Sequence, residues 1–126
     1  MMRGQSVGLQ TLAFVTEAKR LGVSQCATFR HQGMVVTLEY EPEIQMPEGD
    51  VVRGVLAIRY VYLPPALRRK GWFRAYITLC ESLADEAVFV DVYAASMRDV
   101  LMRRGFVQVL KNVFVKRTAS AVAGNK

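Results

Sequence analysis

Residues 55–63 are apolar or aromatic at every position except Arg59. A continuous run of this kind reads as a strand covered on both faces, the centre of a sheet. Pro64 and Pro65 follow at once. They lack the amide N–H that a ladder needs and drive their predecessors out of the helical region, so the strand is expected to end at about Leu63. From Trp72 the period changes. Trp72, Phe73, Tyr76, Leu79, Cys80 and Leu83 recur at helical spacing and predict an amphipathic helix that packs its apolar face back on the strand. Residues 87–93 (AVFVDVY) form a second apolar strand, broken only by Asp91. Strand, helix and strand in succession make a right-handed crossover, so residues 51–63 and 87–93 are expected side by side and parallel.

The flanks follow the same logic. Residues 9–20 place Leu9, Leu12, Ala13 and Thr16 on one helical face, with Lys19 and Arg20 at the carbonyl end and Gly22 as a stop. Residues 25–31 and 34–40 are rich in β-branched and aromatic side chains around Gln32 and Gly33, the pattern of a hairpin. His31 is then a hairpin-end residue rather than a general base. Residues 41–50 (EPEIQMPEGD), with two prolines and a glycine, read as a loop. Ser96, with Asp99 three positions on, has N-cap chemistry for a third helix that carries Met97, Val100 and Leu101 on one face; Gly105 and Phe106 fit its left-handed end. Residues 107–110 and 113–116, around Lys111 and Asn112, make a terminal hairpin, and residues 118–126 read as a frayed tail. The expected fold is α/β, a mixed central sheet flanked by helices, in one domain over residues 1–117.

With 126 residues, 52% hydrophobic and 22% charged, the chain has the make-up of one globular domain. It holds no apolar run of the roughly 20 residues that a membrane helix needs, and its start lacks a signal-like apolar core, so a cytoplasmic protein is expected. Cys26 and Cys80 are expected as buried free thiols rather than a disulfide, and a single histidine argues against a zinc site. The net charge of +6 changes the picture more, because it is uneven. Glu39, Glu41, Glu43, Glu48 and Asp50 lie together with no base among them, while all 17 cations lie elsewhere. A basic surface suits a phosphorylated cofactor, nucleic acid or an acidic protein. Within the acidic stretch, residues 41–50 read as a solvated connector or, more pointedly, as an acidic rim that draws in a cationic amine.

Arg68, Arg69 and Lys70 precede Gly71 at a helix start, where a missing Cβ lets a ligand approach unpaired amides. The run LPPALRRKGWF, followed by a helix, a strand and a helix that closes on RRGF, resembles the GNAT acyltransferase superfamily. The signature of that family is a strand, then Arg/Gln-x-x-Gly-x-Gly/Ala, then a helix, with a later helix closing on Gly-Phe. Arg68 matches its first position, Gly71 the first glycine, and Gly105 with Phe106 the late pair. The likeness covers residues 51–116 and is similar in particular to short GNAT-like proteins of bacteriophages. It implies a GNAT-like fold with acetyl-CoA in a wedge between the two parallel strands. The pantetheine arm would lie on the strand edge at Val61 and Leu63, and the pyrophosphate on the turn formed by Arg68, Arg69, Lys70, Gly71, Trp72 and Phe73. Trp72 also fits as a core anchor, through its place on the apolar stripe.

Three positions depart from the family pattern. Phe73 stands where the signature has Gly or Ala, Leu101 where many members place a tyrosine acid, and Ala94 or Ala95 where an asparagine is common. Tyr93 and Tyr62, with Ser96, remain as candidate acids near the wedge. Three functions follow. The first is acyl transfer from acetyl-CoA to an amine, on a small molecule or a protein acceptor. The second is the same fold without the chemistry, a phage-type effector that docks on a host protein. The third, nucleic-acid binding through Arg103, Arg104, Lys111, Lys116 and Arg117 with the triplet Arg68, Arg69 and Lys70, rests on charge alone. The edge strands of the terminal hairpin suit either a monomer or a homodimer.

Overall fold

The computed structural model describes residues 5–118. In chain order these form α1 (Val7–Leu21), β1 (Gln25–His31), β2 (Met34–Gln45), β3 (Val51–Tyr62), a short 3-10 turn (Pro65–Leu67), α2 (Trp72–Leu83), β4 (Ala87–Asp91), α3 (Ala95–Arg103), β5 (Val107–Leu110) and β6 (Val113–Arg117). The strands make one mixed sheet in the order β1-β2-β3-β4-β6-β5. Only β3 and β4 pair in parallel, joined by the α2 crossover. The expected α/β architecture is therefore the observed one.

β3 is central because Val55, Leu56, Ala57 and Ile58 are all enclosed. Leu56 and Ile58 join the main core, to which α1 adds Val7, Val15 and Ala18, α2 adds Tyr76, Ile77 and Cys80, and α3 adds Leu101. Side chains alternate along a strand, so Val55 turns the other way and joins a smaller cluster with Met46, Val52, Ala87 and Val115. Gly54 lets the α2–β4 connection press against β3. Its φ is +59°, Asp85 N–H donates to its carbonyl at 2.8 Å, and an added Cβ would lie 2.1 Å from Asp85 Oδ2.

Several local expectations give way. The face of α1 that packs inward is Val7, Thr11, Val15 and Ala18, while Leu9 and Leu12 are 54% and 44% exposed. A polar residue can take the inner face because its needs are met: the Thr11 hydroxyl donates to the Val7 carbonyl and meets the Tyr76 hydroxyl, both at 2.8 Å. Residues 41–50 are not a loop. β2 runs on to Gln45, with Glu41 opposite Val55 and Glu43 opposite Arg53, and only 46–50 turn. Pro42 is tolerated there because β1 stops pairing at Tyr40, leaving that side of β2 a free edge. The α3 N-cap is Ala94, with no side-chain cap, so Ser96 lies inside the first turn. Cys26 is exposed and only Cys80 is buried. Thr118, at the start of the expected tail, is buried, with its N–H on the Glu86 carbonyl and its hydroxyl on that of Asp85. The rest of that tail lies outside the described residues. Among the described residues no helix is long and apolar enough to cross a membrane.

Candidate active site

β3 and β4 part company at one level of the sheet. Their parallel pairing runs from Leu56 opposite Val88 to Ile58 opposite Val90 and goes no further. Two local features cause the split. On β3, Leu38 pairs with Ile58 but Thr37 with Tyr60, so Arg59 is an extra, bulged residue that bends the strand. Past the end of β4, Val92 N–H donates to the Asn112 carbonyl at 2.7 Å, which draws the chain toward β6 and away from β3. Arg59 tethers the fork from below, with Nε 3.1 Å from Glu39 and a terminal nitrogen 3.0 Å from Asp91. Burial works against its charge, but Asp91 and Glu39 outweigh it and hold the pKa above the ordinary value.

Above the fork lies an open cleft of about 890 Å³, bounded by the end of β3, the turn into α2 and the length of α3. The turn is the feature with chemistry. Arg69 and Gly71 both have positive φ, +63° and +80°. Gly71 takes the N-cap position of α2 but offers no side-chain acceptor. Among the described residues no protein acceptor meets the amides of residues 69–74, so they are left for a ligand. Arg68, Arg69, Arg74, Arg103 and Arg104 line the cleft with no carboxylate among the lining residues. Arg104 is tied back to Glu81 at 3.3 Å, whereas Arg69, Arg74 and Arg103 make no ion pair among the described residues. Such a pocket favours a polyanion.

The predicted site residues do gather here, with qualifications. Val61, Tyr62, Leu63, Arg68, Arg69, Gly71, Trp72, Phe73 and Tyr93 all line the cleft, and Lys70 lies in the turn beside it. Arg68 folds back along the exposed end of β3, its Nε 2.7 Å from the Leu63 carbonyl and its guanidinium over the Tyr62 ring at 5.6 Å. Phe73 packs against the main core, and Trp72 stacks on Tyr76 with ring centres 5.0 Å apart. The Tyr93 hydroxyl accepts from Val61 N–H and donates to the Val61 carbonyl, while its ring stacks on Tyr60. Burial raises its pKa, against the pull of the Val61 hydrogen bond, so the hydroxyl keeps its proton at neutral pH. Burial also pushes the Cys80 thiol up to about 12, which leaves it inert.

Sequence reasoning missed Arg74 and gave Arg103 to a different surface. A signal existed for Arg74. A cation in the first turn of a helix is disfavoured by the helix dipole, so its placement there points to an anion nearby. Glu39 reaches the fork through Arg59, but the acidic stretch of residues 41–50 runs away from the cleft. It occupies the far end of the β2–β3 hairpin, where Glu43 pairs with Arg53, and Glu48 and Asp50 with Arg117. The idea of an acidic rim for the amine therefore fails on position.

No family model and no curated protein match this chain. Solved structures do. A mutant AtaT toxin bound to the C-terminus of the antitoxin AtaR and acetyl-CoA aligns at a TM-score of 0.57 with 11% identity, over 92% of this chain and 81% of that one. The KacTA–DNA complex aligns at 0.56 with 14% identity, over 98% and 89%. A protein from Agrobacterium tumefaciens provisionally described as an acetyltransferase aligns at 0.53 with 14% identity, over 86% and 88%. The fold is that of the GNAT acyltransferases.

Proposed function

We propose that this chain binds acyl-CoA in the cleft and transfers its acyl group to an amine. The observation that carries the reading is the parting of two parallel strands beside a turn whose amides meet no protein acceptor among the described residues. Phosphate is the group such a turn suits, because the amides are fixed before the ligand arrives and cost little to reorganise. Arg69, Gly71, Trp72 and Arg74 would hold the pyrophosphate, with Lys70 adding charge at the rim. Acyl-CoA, when bound, supplies the acyl group as an activated thioester. Tyr93 holds a proton at the fork and is the candidate acid, with Tyr62 the nearest alternative. The acetyl-CoA held by the AtaT structure supports this cofactor. The antitoxin AtaR bound to the same protein supports a protein partner here too.

A second reading keeps the fold without the chemistry, as a module that docks on another protein. It is favoured by the Tyr93 hydroxyl, which already takes the backbone groups of Val61. Thermal unfolding with and without acetyl-CoA separates the two. Ligand at a hundred times its dissociation constant adds about 2.7 kcal/mol of stability. Gly71→Val, which blocks the approach to the turn, is expected to abolish that shift. The absence of any shift at millimolar acetyl-CoA would leave the docking module in possession of the fold.

A further inference from the structure

The strand edge above the fork is already occupied by the chain's own side chains. Beyond Ile58, Val61 turns its N–H and C=O into the gap where β4 would have paired. Both groups are met by one atom, the Tyr93 hydroxyl. Two residues on, the Leu63 carbonyl faces the same way and is met by Arg68 Nε at 2.7 Å. Each cap rests on an aromatic ring, Tyr93 on Tyr60 at 5.8 Å and Arg68 over Tyr62 at 5.6 Å. Neither cap belongs to the core: Tyr93 is 51% exposed, and Arg68 is exposed as well. Two long side chains outside the core clusters thus imitate the hydrogen bonds of an extended ligand. The phosphate half of the cleft has no such cap, since its amides and the guanidinium groups of Arg69, Arg74 and Arg103 are free among the described residues.

We propose that Tyr93, with Arg68 beside it, is a specificity-determining cap on the arm half of the slot. It closes that half in the resting protein and yields to ligands that carry an extended hydrogen-bonding arm. Nucleotides that lack an arm bind the phosphate half with the cap still in place. The proposal rests on the acyltransferase reading and adds to it a competition within the chain. An arm that displaces Tyr93 exchanges hydrogen bonds rather than gaining them, so the cap weakens acyl-CoA without touching the affinity for the diphosphate end.

Tyr93→Phe tests this, because it removes the hydroxyl and leaves the ring on Tyr60. Calorimetric titration of wild type and variant with acetyl-CoA, and separately with ADP as the probe without an arm, gives the comparison. Two hydrogen bonds of ordinary worth correspond to about a tenfold change. The variant is expected to bind acetyl-CoA about tenfold more tightly and ADP equally well. Amide exchange gives an independent readout: Val61 N–H should exchange faster in the free variant than in free wild type, and acetyl-CoA, not ADP, should restore its protection. Equal or weaker acetyl-CoA binding by the variant overturns the cap and leaves the acyltransferase reading intact. So does an equal gain for ADP, which would show that Tyr93 does not discriminate by the arm. Failure of both ligands to bind either protein overturns the acyltransferase reading, and the cap with it.

Discussion

At its first residues β3 is enclosed on both sides. Val51, Val52 and Arg53 pair with Gln45, Ile44 and Glu43, Gly54 accepts from Asp85, and Arg53 N–H reaches the Glu86 carboxylate at 2.8 Å. At its last residues the same strand bulges at Arg59, loses β4 as a neighbour, and exposes Tyr60 and Tyr62. The charges divide likewise. Near the start, Glu43, Glu48 and Asp50 each have a cation beside them. Near the end, Arg69, Arg74 and Arg103 make no ion pair with a carboxylate among the described residues. A strand of 12 residues spans about 36 Å between its end residues, well beyond a Debye length of about 8 Å in physiological salt. One strand can thus hold the fold together at one end and leave hydrogen-bonding capacity for a ligand at the other.

The largest break in this contrast should come at the enclosed end. Gly54→Ala forces a Cβ to within 2.1 Å of Asp85 Oδ2 at a backbone φ of +59°. Strain and displacement together are expected to cost about 3 kcal/mol in urea unfolding. The affinity of the folded fraction for acetyl-CoA should not change. A loss below about 1 kcal/mol would mean that the α2–β4 connection gives way freely and that this end of β3 is loosely built.

Alkaline pH sharpens the same comparison, because the Cys80 thiol belongs to the packed interior. Cys80 has a reference pKa of 9.0 and is pushed up to about 12 by burial, with the Tyr76 hydrogen bond acting against the shift. Above pH 9 the unfolded chain loses this proton while the folded chain keeps it, so stability falls as pH rises toward 12. Tyr76, raised by burial as well, extends the fall. The slope is about 1.4 kcal/mol per pH unit for each proton involved. Denaturant midpoints measured between neutral and alkaline pH should show this decline, and Cys80→Ala should flatten its first part. An unchanged slope in the variant would remove Cys80 as its source.

At the open end the expected effects are smaller and opposite in sign for stability and binding. Arg74→Ala removes an exposed cation from the first turn of α2 and should stabilise the free protein by about 0.5 kcal/mol. It should also weaken ADP binding severalfold, more so at low salt. Loss of stability without loss of binding would show that Arg74 packs rather than attracts.

Much of this was legible beforehand, and the failures share a cause. The apolar run into Pro64, the 3.6-residue stripe from Trp72 and the Gly105–Phe106 ending each encode a local rule that packing reinforces, and all three elements stand as expected. β3 stops at Tyr62, one residue short of the expected end. Where two local patterns competed, only tertiary contacts could decide. Thr11 went inward on α1 because Tyr76 lies opposite it, and Pro42 stayed in a strand because β1 is too short to reach it. The Tyr93 contact was hidden for a different reason. It joins a side chain after β4 to a backbone amide 32 residues earlier, and nothing in composition or periodicity encodes which edge groups a fork leaves unpaired.

The most direct test of the slot is a backbone amide NMR titration of the wild-type protein with acetyl-CoA. Saturable shifts are expected to rise together at Val61 on the strand edge and at Gly71, Trp72 and Phe73 on the turn, with Val51, Val52 and Arg53 unmoved. Shifts confined to the hairpin end, or saturable binding that leaves both Val61 and Gly71 untouched, would contradict the slot.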